Sequence, residues 1–190
     1  MRTRHHLFLA LAGAVGVLGL TVADRPATAE AAAASAADRI INDPRVPSLT
    51  PYGLALPPQV RSDKTVQFGK AMRIALSGHP DFGRIGVITP TLKPVRKGDR
   101  VVIAFWARAV ETQNGAPGRI GRVQLEATPV VRAIFEKPFE IAAEWKMYQL
   151  SGSADQDYAP GALNAALHLD VAKQVLEIGP VFILDYGQPS

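Results

Sequence analysis

"GDRVVIAFWARAVE", residues 98–111, is the stretch on which the fold turns. Gly98 and Asp99 read as a turn. The run after them is rich in Val, Ile, Phe and Trp, side chains that suit a pleated, half-buried strand. Residues two apart in a strand share a face. Ile103, Phe105 and Ala107 therefore fall on one side, with Val102, Ala104, Trp106 and Arg108 on the other. Arginine is rarely buried without a partner, so the Arg108 side is the outward one and the Phe105 side faces the core.

The same texture extends in both directions. "KAMRIAL" alternates Met72, Ile74 and Leu76 with Arg73 and Ala75, and "RVQLEATPV" sets Val123 and Leu125 against Gln124 and Glu126. "RIGVITP", "AIFEKPFEI", "ALNAALHLDV" and "QVLEIGPVFILDYG" add further short apolar segments, and "KPVRKGD" and "NGAPG" are turns between them. In "EWKMYQLSG", Trp145, Met147 and Gln149 alternate with Lys146, Tyr148 and Leu150, which predicts a strand with Trp145 and Met147 on the core side and Tyr148 outside. Strands about ten residues apart, punctuated by Gly, Pro, Asn and Asp, predict an all-β sandwich or barrel. Ile74, Ile103, Phe105, Val123, Leu125, Leu167 and Ile178 are its expected core.

The N-terminal third has a different character. "MRTRHH" is cationic, "LFLALAGAVGVLGLTV" is apolar, and Ala27 and Ala29 stand in the A-x-A spacing of a signal-peptidase site. Residues 1–29 read as a signal peptide cleaved after Ala29, which places the protein in the periplasm or outside the cell with no membrane span in its mature form. Residues 30–63 form an Ala-rich and Pro-rich lead-in. Five prolines between Asn42 and Val60 exclude a regular helix and a central strand there. The folded domain is expected over residues 64–188.

Several chemistries are excluded by what the chain lacks. Without cysteine it has no disulfide, thiolate nucleophile or zinc–thiolate site, so a hydrophobic core must hold the fold. Removing residues 1–29 takes away three arginines and Asp24, and the net charge falls from +4 to +2. The remaining Lys and Arg are scattered among acids, which argues against nucleic acid as a partner. Gly115, Gly118 and Gly121 are followed by another strand, whereas a phosphate-cradling loop opens a helix. No G-x-S-x-G elbow occurs and nothing pairs the glutamates, so the expectation is a protein that is not an enzyme.

One ordered set of motifs resembles a known family. Lys97-Gly98-Asp99, Phe105-Trp106-Ala107-Arg108-Ala109, Glu144-Trp145-Lys146, Asp157-Tyr158-Ala159-Pro160-Gly161 and Leu176-Glu177-Ile178-Gly179 follow one another as in the carbohydrate-binding modules that accompany bacterial xylanases and related glycanases. The resemblance covers about residues 64–188. It implies a galactose-binding-domain-like jelly roll of two antiparallel sheets and non-catalytic binding of a polysaccharide or oligosaccharide. A separate glycanase or an envelope protein is a further expected partner. Many such modules open on an Asn-Gly-x-Phe-Glu segment whose acid holds a structural calcium ion. That segment is absent here, so no cofactor is expected, although Asp185 remains as one acid that calcium would use.

The strand alternation then nominates binding residues. Trp106 can stack on the apolar face of a sugar ring while Arg108 bonds its hydroxyls. Gln124 and Glu126, and separately His168 with Asn164 and Asp170 on its strand face, supply donors and acceptors for a polyol. Tyr158 stands in a loop, where binding residues concentrate. The expected site is Trp106, Arg108, Gln124, Glu126, Tyr158 and His168, with Trp106 as the platform. The competing expectation is a protein-interaction or envelope-structural module on the same fold, with Trp106 packed under a loop and Arg108 in an ion pair.

Overall fold

A computed structural model describes residues 37–79 and 83–188. The predicted signal peptide and its cleavage point lie outside that range. Alternation of the kind read above produces ten strands: β1 (Thr50–Tyr52), β2 (Gln59–Ser62), β3 (Lys70–Ser77), β4 (Gly86–Pro90), β5 (Arg100–Thr112), β6 (Gly118–Ala127), β7 (Arg132–Ile141), β8 (Lys146–Ser153), β9 (Leu163–His168) and β10 (Lys173–Asp185). They pair antiparallel in two five-stranded sheets, ordered β2-β3-β10-β5-β8 and β1-β4-β9-β6-β7. We call these the A sheet and the B sheet. Packed face to face, they form the jelly-roll sandwich. Among the described residues no helix is long and apolar enough to cross a membrane.

The core is the set of inward side chains from both sheets. All seven predicted core residues are at most 1% exposed. Phe105 sits at the centre, stacked on Tyr148 at 5.5 Å and edge-on to Phe139 at 5.3 Å. That contact corrects the reading of β8. Register pairs Phe105 with Tyr148 and Trp106 with Met147, so Tyr148 points inward while Met147 is 54% exposed. Large apolar residues occupy both phases of this strand, and alternation alone could not choose between them.

The proline-rich segment is part of the sandwich, so a domain boundary at residue 64 divides one folded unit. β1 pairs with β4 and β2 with β3, each at the rim of a sheet, which is where prolines and unpaired backbone donors are tolerated. Asn42 ties this segment to both sheets. Its amide donates to Val181 O (2.8 Å) and Thr89 Oγ1 (3.1 Å), and its Oδ1 accepts from Ile183 N (2.8 Å).

The outer face of the A sheet carries Trp106 and Arg108. β10 holds one extra residue against β5 between Ile178 and Val181. At this bulge a methyl group on Gly179 would lie 2.8 Å from Val66 Cγ2 and 2.9 Å from Trp106 Cβ. Glycine is required there by close packing. Val66 and Trp106 close over this point, and Trp145 lies beside them.

Candidate functional site

The six nominated residues do not form one site. β5 belongs to the A sheet and β6 to the B sheet, and the side chains opposite the core on these two strands leave the sandwich on opposite sides. Grouping Trp106 and Arg108 with Gln124 and Glu126 is therefore corrected: a 13-residue strand carries the chain along one sheet, and the connection after it crosses to the other.

Trp106 and Arg108 are engaged in packing. The guanidinium of Arg108 donates from Nε to Glu177 Oε2 (2.8 Å), lies 3.0 Å from Asp63 Oδ2, and sits 4.8 Å above the Trp145 ring. Trp145 Nε1 donates to the same Asp63 oxygen at 3.1 Å. These bonds hold the 63–69 loop over the sheet, with Trp106 half-buried beside it and its Nε1 enclosed without an acceptor among the described residues. Trp145 is also on this outer face and half-buried, not in the core between the sheets.

Tyr158 is buried and does not present its ring to solvent. Its hydroxyl donates to Asp155 Oδ1 (2.5 Å) and accepts from Arg132 Nη2 (2.8 Å), and its backbone bonds reciprocally with Val95. Burial, then the Asp155 carboxylate, pushes its phenol upward from the usual tyrosine value. Tyr158 fastens the β8–β9 loop.

Gln124, Glu126 and His168 do come together, on the outer face of the B sheet. Cross-strand register sets three rows there. Tyr52, Gly86, His168 and Arg122 form the first; Thr50, Ile88, Ala166, Gln124 and Glu136 the second; Pro90, Asn164, Glu126 and Ala133 the third. The middle of the face is low, because Gly86 and Ala166 present little or no side chain. Tyr52 lies across Gly86, where a methyl group would meet its hydroxyl at 2.4 Å, and reaches His168 Nδ1 at 2.6 Å.

This face is polar yet enclosed. Gln124, Glu126 and Asn164 are at most 9% exposed, as is Asp170 just beyond β9. Gln124 Nε2 donates to Glu126 Oε2, and Asp170 Oδ1 accepts from Gly83 N (2.7 Å). Gln124 Oε1, Asp170 Oδ2 and His168 Nε2 have no hydrogen-bond partner among the described residues. Buried polar atoms are partnered in the great majority of cases, and an orphan costs about 1–3 kcal/mol. Three such atoms lie together on the outer face of the B sheet.

Electrostatics sharpen the description. Burial first, then the Arg122 charge, pushes the His168 imidazole below its ordinary value, against the opposing pull of Glu126, Asp170 and Glu136. Burial, Glu126 and Asp170 together drive the Tyr52 phenol well above its ordinary value, so it keeps its proton. A histidine with a depressed folded value binds fewer protons folded than unfolded. Its contribution is fully present above the ordinary value of 6.5 and is lost as pH falls below it. Unfolding free energies measured at pH 5 and pH 7.5 are expected to differ less in His168→Asn than in the parent. An unchanged difference would rule out this linkage.

Sequence alone missed Tyr52 and Arg122. Arg122 was within reach, since it continues the outward phase of Gln124 and Glu126. Tyr52 was not, because only the pairing of β1 with β4 brings it to His168. For metal binding, Asp185 Oδ1 accepts from Gly187 N (2.8 Å), and burial, with Asp99 beside it, pushes its carboxyl above the usual range. Among the described residues no three acidic or imidazole groups converge.

No protein-family model and no curated protein matches the sequence. Solved structures do match the fold. A carbohydrate-binding module of family 4 superposes with a TM-score of 0.55 at 11% identity, covering 73% of this chain and 95% of its own. The fold is that of carbohydrate-binding modules. The N-terminal cellulose-binding domain of β-1,4-glucanase C from Cellulomonas fimi gives 0.54 at 12% identity, covering 75% and 91%. A xylan-binding domain from Paenibacillus barcinonensis gives 0.52 at 14%, covering 80% and 94%. The jelly roll implied by the motif order is thus shared with these modules.

Proposed function

We propose that this protein is a secreted or periplasmic, non-catalytic glycan-binding module that holds a polysaccharide chain on the outer face of β4, β9 and β6. The observation that carries this reading is the set of enclosed, unpartnered polar atoms on Gln124, His168 and Asp170. A polyol has hydroxyl groups that both donate and accept, and binding would satisfy these atoms once the side chains covering them shift. Tyr52 and Arg122, half-buried at one end of the face, are the groups a sugar meets first. Cellulose and xylan are named as ligands of two modules with this fold, which makes β-linked glucan and xylan the first glycans to try.

Gln124→Leu keeps the side-chain volume and removes the orphaned carbonyl. The change also takes the donor away from the buried Glu126 carboxylate, so it should cost about 1–3 kcal/mol of stability, whereas a lost sugar bond weakens binding. Calorimetry with xylan- and cellulose-derived oligosaccharides is expected to show at least about a tenfold loss of affinity, roughly 1.4 kcal/mol, in a variant that still unfolds cooperatively. A parent protein that binds nothing across a broad glycan panel would overturn the proposal. An interaction module would then be favoured, and exposed Val130 and Val131 at the β6–β7 turn (81% and 66%) are the surface such a partner would use.

A further inference from the structure

The A sheet carries a second feature that glycan binding on the B sheet does not use. Below Trp106, the outward residues of β8, β5 and β10 line up in rows. Gln149 pairs with Ala104 and Ala104 with Phe182; Ser151 pairs with Val102 and Val102 with Leu184. Arg100 and Tyr186 close the end, joined by a bond from Tyr186 N to Arg100 O (2.9 Å). The floor is small and apolar, with Val102 and Ala104 nearly covered, and the rim is polar. Arg100, Val102, Gln149, Ser151 and Tyr186 line a hollow of about 380 Å³. That volume is within the range of roughly 300–1,000 Å³ typical of small-ligand sites.

The side chains around it make few hydrogen bonds of their own among the described residues. The Tyr186 ring is 42% exposed. Arg100 is exposed and lies 5.6 Å from the centroid of that ring, and Arg39 lies 4.7 Å from it. Neither arginine makes an ion pair among the described residues, and the side chains of Gln149 and Ser151 have no protein hydrogen-bond partner there. Of the nearby acids, Asp99 accepts from Arg96 N (2.8 Å) and Asp185 from Gly187 N (2.8 Å). The two carboxyls also bond to each other, and Asp185 faces the Arg39 charge, which leaves Arg100 as the cation for a ligand. The hollow therefore presents positive charge beside an aromatic ring, with an amide and a hydroxyl opposite.

We propose that this hollow is a second saccharide site, selective for an acidic, uronate-bearing sugar. The C–H face of the sugar would rest on Tyr186. Its hydroxyls would bond Gln149 and Ser151, and its carboxylate would take the Arg100 guanidinium in a charge-assisted, bidentate pair. A neutral sugar would leave Arg100 without that partner. The charge complementarity selects the acid.

The test is calorimetry of the purified protein with a galacturonic acid trisaccharide, against a neutral xylose oligosaccharide of equal length. Uronate binding is expected to weaken at least about tenfold in Arg100→Gln and in Tyr186→Ala. It should also fall with added salt, and be untouched by Gln124→Leu on the opposite sheet. Binding of the neutral oligosaccharide should be indifferent to Arg100→Gln. Failure of the parent to bind the uronate would overturn the proposal, as would uronate affinity that survives Arg100→Gln. Neither result would bear on the B-sheet reading, which stands or falls with Gln124→Leu.

Discussion

Glutamine in place of Glu177 is expected to destabilise the protein by about 3 kcal/mol, a drop in Tm on the order of 10 °C. Glu177 is 4% exposed and lies between two arginines on the outer face of the A sheet. Arg73 approaches its Oε1 at 3.2 Å and Arg108 its Oε2 at 2.6 Å. Removing the charge leaves two guanidiniums on the strands flanking β10 with no anion between them. Arg73 keeps Glu111 (2.7 Å) and Arg108 keeps Asp63 (3.0 Å), and the two side chains are 22% and 31% exposed. These residual partners and the access to water place the effect at the low end of the roughly 3–5 kcal/mol expected when a buried pair loses one member. Pairing Glu177→Gln with Arg73→Met should return part of the loss, because the remaining cation then has Asp63. Urea unfolding of the single and double variants measures both. A Glu177→Gln protein as stable as the parent would show that the network adds nothing to the fold.

Alanine at Phe105 should cost about 4 kcal/mol. The ring is fully buried and touches Tyr148 and Phe139, which themselves meet at 5.8 Å. Its loss combines the transfer of a large apolar side chain with a cavity walled by both sheets, and adds the aromatic contacts, worth about 0.5–1.5 kcal/mol beyond area. Phe105→Leu retains most of the volume and should lose about 1–2 kcal/mol. Urea denaturation distinguishes the two. A loss below about 1 kcal/mol in Phe105→Ala would mean that the Trp106 side of β5 carries the core.

How far the sequence reached depends on which physical rule was in play. Alternation along β3, β6 and β9 was unambiguous because one phase of each strand is apolar and the other holds Arg, Gln, Glu or Asn, and on β5 Arg108 marks the outward phase. The core followed from it. β8 failed because Trp145 and Met147 compete with Tyr148 and Leu150, and only pairing with Phe105 decides between them. The prolines correctly excluded a central strand from the lead-in, but they are compatible with the rim strands that β1 and β2 form.

The site was legible only in part, and for a different reason. Period-two geometry orients a side chain relative to its own sheet. It carries no information on which sheet a strand joins. β5 and β6 are neighbours in sequence and lie in different sheets, so Trp106 and Gln124, both correctly turned away from the core, end on opposite sides of the molecule. Tyr52 meets His168 across 116 residues of chain, a contact that topology creates and no local pattern announces. An ion pair is the competing role that the sequence offers for Arg108. Asp63 and Glu177 are its partners because they lie on its own sheet face.

Glycan binding on the outer face of the B sheet is tested most directly by nuclear magnetic resonance, following amide and side-chain signals of isotope-labelled protein during titration with xylan- and cellulose-derived hexasaccharides. The expected result is saturable shift changes centred on Arg122, Gln124, Asn164 and His168, with Trp106 and Trp145 indole signals unmoved. Absence of any saturable change with these and a wider set of neutral glycans would contradict it, and so would changes confined to Trp106 and Arg108.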